Sequence, residues 1–287
     1  MNILIIGGSG FLGYHLTESL LKKSYKVTVL DRKKIYFKNK NFKFVKGDIK
    51  NLKLLTKTIK PNDIVYNFAA LSNIEESTLK PKETVLTNIL PNIDILNLCK
   101  RFKIKKFIFA STIYVHSSQG SFYRASKQAS ELYIEEFSKR YKLNYTILRF
   151  GTVYGPRSSK KNGLKKIIFN ALTKKKLIYS GTNKAKRRFI HVVDAAHASA
   201  EATKKKYDNS NLLITGKKII SIREVLNKVG KILNIKKKHH FKNIRNNGHY
   251  DTSPYSYEPK KDKHIYIKSK INIDTGIKEL INEKRNS

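Results

Sequence analysis

A Rossmann-type, doubly wound α/β fold is predicted for this chain from three features near its start. Residues 2–6 (NILII) form a short apolar run that leads directly into Gly7-Gly8-Ser9-Gly10-Phe11-Leu12-Gly13. Residues 11–23 then place apolar side chains at helical spacing. Residues 25–30 (YKVTVL) make a β-branched run that ends on Asp31, eighteen residues after Gly13. Strand, glycine turn, helix, strand and acid is the order that a dinucleotide-binding βαβ unit requires. Gly7 permits the tight turn, Gly10 lets the backbone approach a pyrophosphate, and Gly13 brings the helix close to the sheet. The helix start at Phe11 and Leu12 offers N–H groups to phosphates, and Asp31 is placed to accept hydrogen bonds from the adenosine ribose.

Composition narrows the class further. With 287 residues and 40% apolar content the chain is long enough for a real core and is not disordered. No apolar run approaches the ~20 residues that span a bilayer. The chain opens inside a strand, with no basic lead or cleavage site, so no signal peptide is expected. A single cysteine, Cys99, rules out an intramolecular disulfide. These features predict a cytoplasmic protein without membrane association. The formal charge of +39 has two readings. Clustered cations attract polyanions, but lysine greatly outnumbers arginine and is spread through the chain in short runs. A solvated basic surface with no specific nucleic-acid partner is the expectation.

The rest of the chain is consistent with alternating strands and helices. Arg32, Lys33 and Lys34 follow the ribose acid and would favour a 2′-phosphate, whereas Asp31 would repel it, so NAD is expected rather than NADP. A third strand at 42–45 ends in Gly47-Asp48-Ile49. Asp48 is read either as a contact to the adenine amino group or as the N-cap of the next helix. Residues 63–70 (DIVYNFAA) are a buried strand that ends on Ala69 and Ala70, small enough for a cofactor to lie against the backbone. A helix is predicted over about 84–102, and Asn88 on it is either a site residue or a core polar group. A strand at 106–110 delivers Ser111 and Thr112 to the carboxyl edge of the sheet, where ligands bind in open α/β folds. Tyr123 and Lys127 then stand four apart on one face of a strong helix. An ammonium beside a phenol favours the phenolate, which makes tyrosine a usable acid/base.

After a core strand at 144–150 the alternation weakens. Residues 1–155 are therefore read as the dinucleotide-binding domain, and 156–287 as a smaller part interleaved with it. The second part carries a helix at 164–172, a strand at 177–179, a helix at 195–203, a strand at 211–215 and a helix at 222–233. An irregular loop at 239–263 and a short helix at 274–283 follow. His239 and His240 are expected to be a solvated pair, and no metal site is predicted.

Taken in order, these motifs resemble the extended short-chain dehydrogenase/reductase superfamily, in its nucleotide-sugar epimerase/dehydratase branch. The resemblance rests on GGSGFLG at 7–13, GDI at 47–49, NFAA at 67–70, ST at 111–112, YRASK at 123–127, LRFGTVYGPR at 148–157 and RRFIHVVDAA at 187–196. It implies Tyr123 as catalytic acid/base, Lys127 as the residue that lowers its pKa and holds the nicotinamide ribose, and Thr112 as the hydroxyl on the reacting sugar oxygen. It implies a cofactor cradle of Gly7, Gly10, Phe11, Leu12, Gly13, Asp31, Arg32, Asp48, Ile49, Ala69, Ala70 and Asn88, shared with Tyr123 and Lys127. Thr112, Thr152 and Arg187 are implied substrate contacts; for Arg187 the alternative is a surface salt bridge. His191 and Asp194 are implied to be structural. The positions after Thr112 are Ile113 and Tyr114 rather than the acid pair of the 4,6-dehydratases. His116 replaces the tyrosine of the usual V-Y-G, and the loop to Tyr123 is shorter than the family norm. The implied activity is NAD-dependent epimerisation of a nucleotide-diphosphate sugar at C4, through a transient keto intermediate, by a homodimer. A keto-sugar-nucleotide reductase and a non-catalytic NAD(P)-sensing module are the alternatives.

Overall fold

The computed structural model describes residues 1–236, 239–242, 249 and 251–252. The first half alternates as expected: β1 (Asn2–Ile6), α1 (Phe11–Lys22), β2 (Lys26–Asp31), β3 (Phe42–Lys46), α2 (Leu52–Ile59) and β4 (Ile64–Asn67). The short helices α3 (Ile74–Leu79) and α4 (Pro81–Thr84) precede α5 (Leu90–Arg101), β5 (Lys106–Thr112), α6 (Ser121–Tyr141) and β6 (Tyr145–Phe150). The second half contributes β7 (Thr152–Tyr154), α7 (Gly163–Lys174), β8 (Leu177–Tyr179), β9 (Lys186–Arg187), β10 (Phe189–His191) and α8 (Val192–Glu201). It closes with β11 (Ser210–Ile214), β12 (Ile220–Ser221), α9 (Ile222–Ile232) and β13 (His239–Phe241).

Seven strands form one parallel sheet in the order β11-β6-β5-β4-β1-β2-β3. The order reverses between β1 and β4, and their carboxyl ends carry the glycine turn and the alanine pair. Side chains alternate across a strand, so β1 feeds both layers. Ile3 and Ile5 pack with Leu16 and Leu20 of α1 and Ala195 of α8. Leu4 and Ile6 pack with Leu55 of α2 and Ile95 of α5. All four β1 side chains are fully buried, which stabilises the fold by about 1.5–3 kcal/mol each. A third cluster joins α7, α9 and β8 through Ile167, Ala171, Leu177, Leu226 and Val229.

Several expected boundaries move for physical reasons. The helix expected at 84–102 is divided: α4 passes through a π-helical turn, Val85–Ile89, before α5 begins. Pro91 carries no N–H, so the regular ladder cannot continue through it. Ser111 and Thr112 are the last residues of β5 rather than a turn after it, because both remain paired, Ser111 with Arg149 and Thr112 with Phe150. β11, from the second part, lies in the main sheet beside β6. His239–Phe241, expected to be loop, pairs with β8, and His239 packs edge-on against Phe241. The helix expected at 274–283 lies outside the described residues. Among the described residues no helix is long and apolar enough to cross a membrane.

At the far end of β5 from the expected site, buried Lys106 donates to the carbonyls of Ala202 and Lys204 and pairs with Asp208. It thereby closes the last turn of α8 against the sheet.

Candidate active site

The glycine turn has the geometry of an anion cradle. Gly7 adopts φ +83°, and a Cβ there would lie 2.4 Å from the backbone nitrogen of Ala69. A Cβ on Gly13 would lie 2.4 Å from the Gly7 carbonyl oxygen. Both positions therefore exclude any side chain, one by conformation and contact, the other by close approach. Gly10 is the N-cap of α1 with no side chain capping the helix, so the first-turn N–H groups at Phe11, Leu12 and Gly13 are free to meet an anion. Asp31 ends β2 beside this turn: its Oδ2 accepts from Ser9 N at 3.0 Å and its Oδ1 from Lys33 N at 3.0 Å. An uncapped helix start, a glycine turn and a carboxylate held at its edge fit a dinucleotide.

The flanking positions divide. Asp48 does not cap α2; Asn51 does, its side chain accepting from Leu54 N at 3.0 Å. Asp48 instead accepts from Lys50 N at 2.9 Å and stands 3.7 Å from the Arg32 guanidinium. That pair links the ends of β2 and β3 at the adenosine side of the cradle. Ile49 is buried in the core below it. Ala69 packs its backbone on Gly7, and Ala70 follows, half-buried. Asn88 is a core polar group. Its Nδ2 donates to Leu71 O and Ser126 Oγ, and its Oδ1 accepts from Leu71 N at 2.8 Å. Both amide protons are bonded within the protein, so Asn88 braces the loop at Leu71 against α6.

Thr112, Tyr123 and Lys127 converge at the carboxyl edge of β5. Ser121–Tyr141 forms one long helix, and the spacing of four places Tyr123 and Lys127 on the same face. The Thr112 Oγ1 accepts from Tyr114 N at 3.3 Å, and the Thr112 hydroxyl is the polar group that acts on the Tyr123 phenol. Lys127 donates to Ala110 O at 2.7 Å and lies 4.4 Å from the Phe109 ring centroid and 5.9 Å from that of Tyr123. Burial pushes the Tyr123 phenol up to about 12, with the Thr112 hydrogen bond opposing it. Burial lowers Lys127 to about 7, with the Glu131 carboxylate opposing. The Lys127 ammonium is held on a backbone carbonyl, and desolvation is the larger cause of the shift at both groups.

The remaining positions lie around the sheet edge. Thr152 starts β7, just beyond β6, and pairs with Phe189. Arg187 is buried, and its Nη1 donates to Lys186 O at 2.9 Å and Asp251 O at 2.8 Å. His191 is the N-cap of α8, its Nδ1 accepting from Val193 N at 3.4 Å, and Asp194 lies in the first helical turn. The short connection before Tyr123 leaves a cavity of about 670 Å³ between α3 and the start of α6, lined by Glu75, Thr78, Ser121, Phe122 and Ala125, with His249 at its edge. Its size suits a small-molecule ligand.

Sequence reasoning missed a polar set behind Lys127: Ser111 and Glu131, which are buried, and Arg149 and His116, which are partly buried. The signal was present for Glu131, which follows Lys127 by the same four-residue step. Nothing in the one-dimensional pattern tied it to Arg149 on β6.

A parallel sheet with a glycine cradle at its switch point and a Thr-Tyr-Lys set on the adjoining strand and helix defines a dinucleotide-dependent enzyme. Residues 3–214 match the NAD dependent epimerase/dehydratase family, and the chain belongs to it. A putative UDP-glucose 4-epimerase of Methanocaldococcus jannaschii is 28% identical over 99% of each chain. A dTDP-D-glucose 4,6-dehydratase of Dictyostelium discoideum is 32% identical over 68% of this chain, which spans 54% of that protein's length. Among solved structures, UDP-glucuronic acid 4-epimerase from Bacillus cereus, in complex with NAD and a fluorinated UDP-sugar, superposes with a TM-score of 0.81 at 27% identity over 90% of each chain. The Thermus thermophilus UDP-glucose 4-epimerase complex with NAD gives 0.75 at 26% identity, over 89% of this chain and 90% of that one.

Proposed function

We propose that this chain is an NAD-dependent epimerase of a nucleotide-diphosphate sugar, acting at C4. The observation that carries the reading is the Thr112-Tyr123-Lys127 set beside an NAD-type cradle. The kinds of relative the chain has, and the absence of an acid pair after Thr112, favour epimerisation over loss of water. Bound NAD supplies the hydride acceptor and donor. The chain's own part is proton handling: Thr112 orients the sugar hydroxyl, Tyr123 takes its proton and later returns it, and Lys127 stabilises the phenolate while it is charged. Reversible proton traffic through one phenol suits a reaction that passes through a keto sugar and comes back. In this reading Thr152, near the end of the 1–155 part, contacts the sugar, and Arg187, in the 156–287 part, contacts the diphosphate.

The test is to denature the purified protein, identify the released nucleotide by mass, and follow UDP-sugars by NMR. Near-stoichiometric NAD and interconversion of C4 epimers without added cofactor are expected. An empty protein that turns over only with NADPH would establish a reductase instead, and would overturn the role given to Asp31.

The active form is proposed to be a cytoplasmic homodimer. The α5–α6 face leaves Leu90, Leu132 and Tyr133 exposed, with Leu132 at 64%, and a second copy of the same face would cover them. Sedimentation should give a dimer that Leu132→Asp converts to monomer; a monomeric parent protein would refute it.

A further inference from the structure

Behind the catalytic face, α6 repeats its four-residue step once more: Tyr123, Lys127 and Glu131 lie along one stripe of the helix. Glu131 is 6% exposed, and both of its carboxylate oxygens are held. Its Oε1 accepts from Ser111 Oγ at 2.5 Å and from Arg149 Nε at 3.1 Å, while Oε2 accepts from Arg149 Nη2 at 2.6 Å. The guanidinium thus grips the carboxylate as a fork. The third guanidinium nitrogen, Nη1, faces His116 Nε2 at 3.2 Å. One carboxylate thereby ties together β5, next to Thr112, β6, α6, and the turn Ile113–His116.

A buried ion pair seldom stabilises a fold more than apolar packing of the same volume would, so its location calls for another account. The neighbour that gains is Lys127. Its ammonium is buried against Phe109 and a backbone carbonyl, and the carboxylate one turn along is what opposes that desolvation. The charged and titratable groups on the elements around it are Tyr123 and Glu131 from α6, Arg149 from β6 and His116 from the turn, with the Ser111 and Thr112 hydroxyls from β5.

We propose that Glu131, clamped by Arg149, is a positioning residue that keeps Lys127 cationic and holds the Thr112 end of β5, and so sets the pH range over which Tyr123 exchanges protons. The inference rests on the catalytic reading given above. Burial lowers the Lys127 ammonium toward neutrality and Glu131 raises it, which is the expected sign. Burial and Arg149 likewise hold His116 below its ordinary value. A neutral His116 can accept from Arg149; a protonated one would repel it.

Glu131→Gln keeps the shape and removes the charge. It also leaves the partly buried Arg149 guanidinium without its carboxylate, and both changes disfavour a charged Lys127. The pH above which kcat declines should fall by about one unit, while kcat at the acid end stays within a few-fold and bound NAD is unchanged. The ¹³Cε shift of Lys127, identified by its loss in Lys127→Arg, should titrate at a correspondingly lower pH. That signal needs no substrate, so it separates failure of this inference from failure of the epimerase reading. If Glu131→Gln does not fold, the charge-free pair Glu131→Leu with Arg149→Met replaces it, and the downward shift of the Lys127 titration should persist. A profile that superposes on the parent after scaling, or an unmoved Lys127 titration in either variant, overturns the proposal.

Discussion

Tyr123→Phe should lower kcat by about 10²–10⁴-fold, the range that a positioned acid/base contributes, with KM and NAD content little changed. The substitution removes one oxygen, the phenol oxygen on which the Thr112 hydroxyl at the end of β5 acts. The ring keeps its place on α6. Thr112 Oγ1 keeps the Tyr114 N–H at 3.3 Å, so the site loses a proton carrier and not its shape. Steady-state kinetics on the interconverted sugar, with NAD released and identified in parallel, checks both halves. If turnover stays within tenfold of the parent, another group moves the proton. If NAD is lost with activity, the effect is on assembly and the catalytic role of Tyr123 is refuted.

Gly7→Ala carries the second large expectation. The residue sits at φ +83°, and the added Cβ would lie 2.4 Å from Ala69 N and 2.7 Å from the Phe68 carbonyl carbon. Those atoms are backbone, and they continue β4, whose Asn67 is in register with Ile6. Relief therefore requires β1 and β4 to separate at the switch point. The substitution should cost about 3 kcal/mol or more, combining left-handed strain with a main-chain clash, and should abolish NAD retention. Gly163→Ala is the matched control: a Cβ there meets nothing within 4 Å at the first residue of α7, and stability should be unchanged or slightly higher. Urea unfolding of the two variants tests the contrast. Equal losses would mean that the turn tolerates a side chain and that the cradle geometry described here is wrong.

Much of the site was legible because its determinants are local. A glycine turn between an apolar run and a helix, with an acid at the end of the next strand, states its own geometry, since positive φ, close approach and helix N-termini are properties of a few consecutive residues. Tyr123 and Lys127 are equally local, four apart on one helix. The sheet itself was also legible, because strands buried on both faces read as continuous apolar runs.

What the tertiary structure alone decided depends on contacts between distant segments. Asn88 was undetermined until Leu71 and Ser126 were seen to occupy its amide. Arg187 reads in one dimension as a substrate contact or a surface cation; only the fold buries it against the carbonyl of Asp251, 64 residues away. The return of β11 to the main sheet, and the Glu131–Arg149 pair that joins α6 to β6 behind Lys127, follow the same rule. Periodicity tells which face of an element is buried; only packing tells what it is buried against, and which charge a buried lysine lies beside.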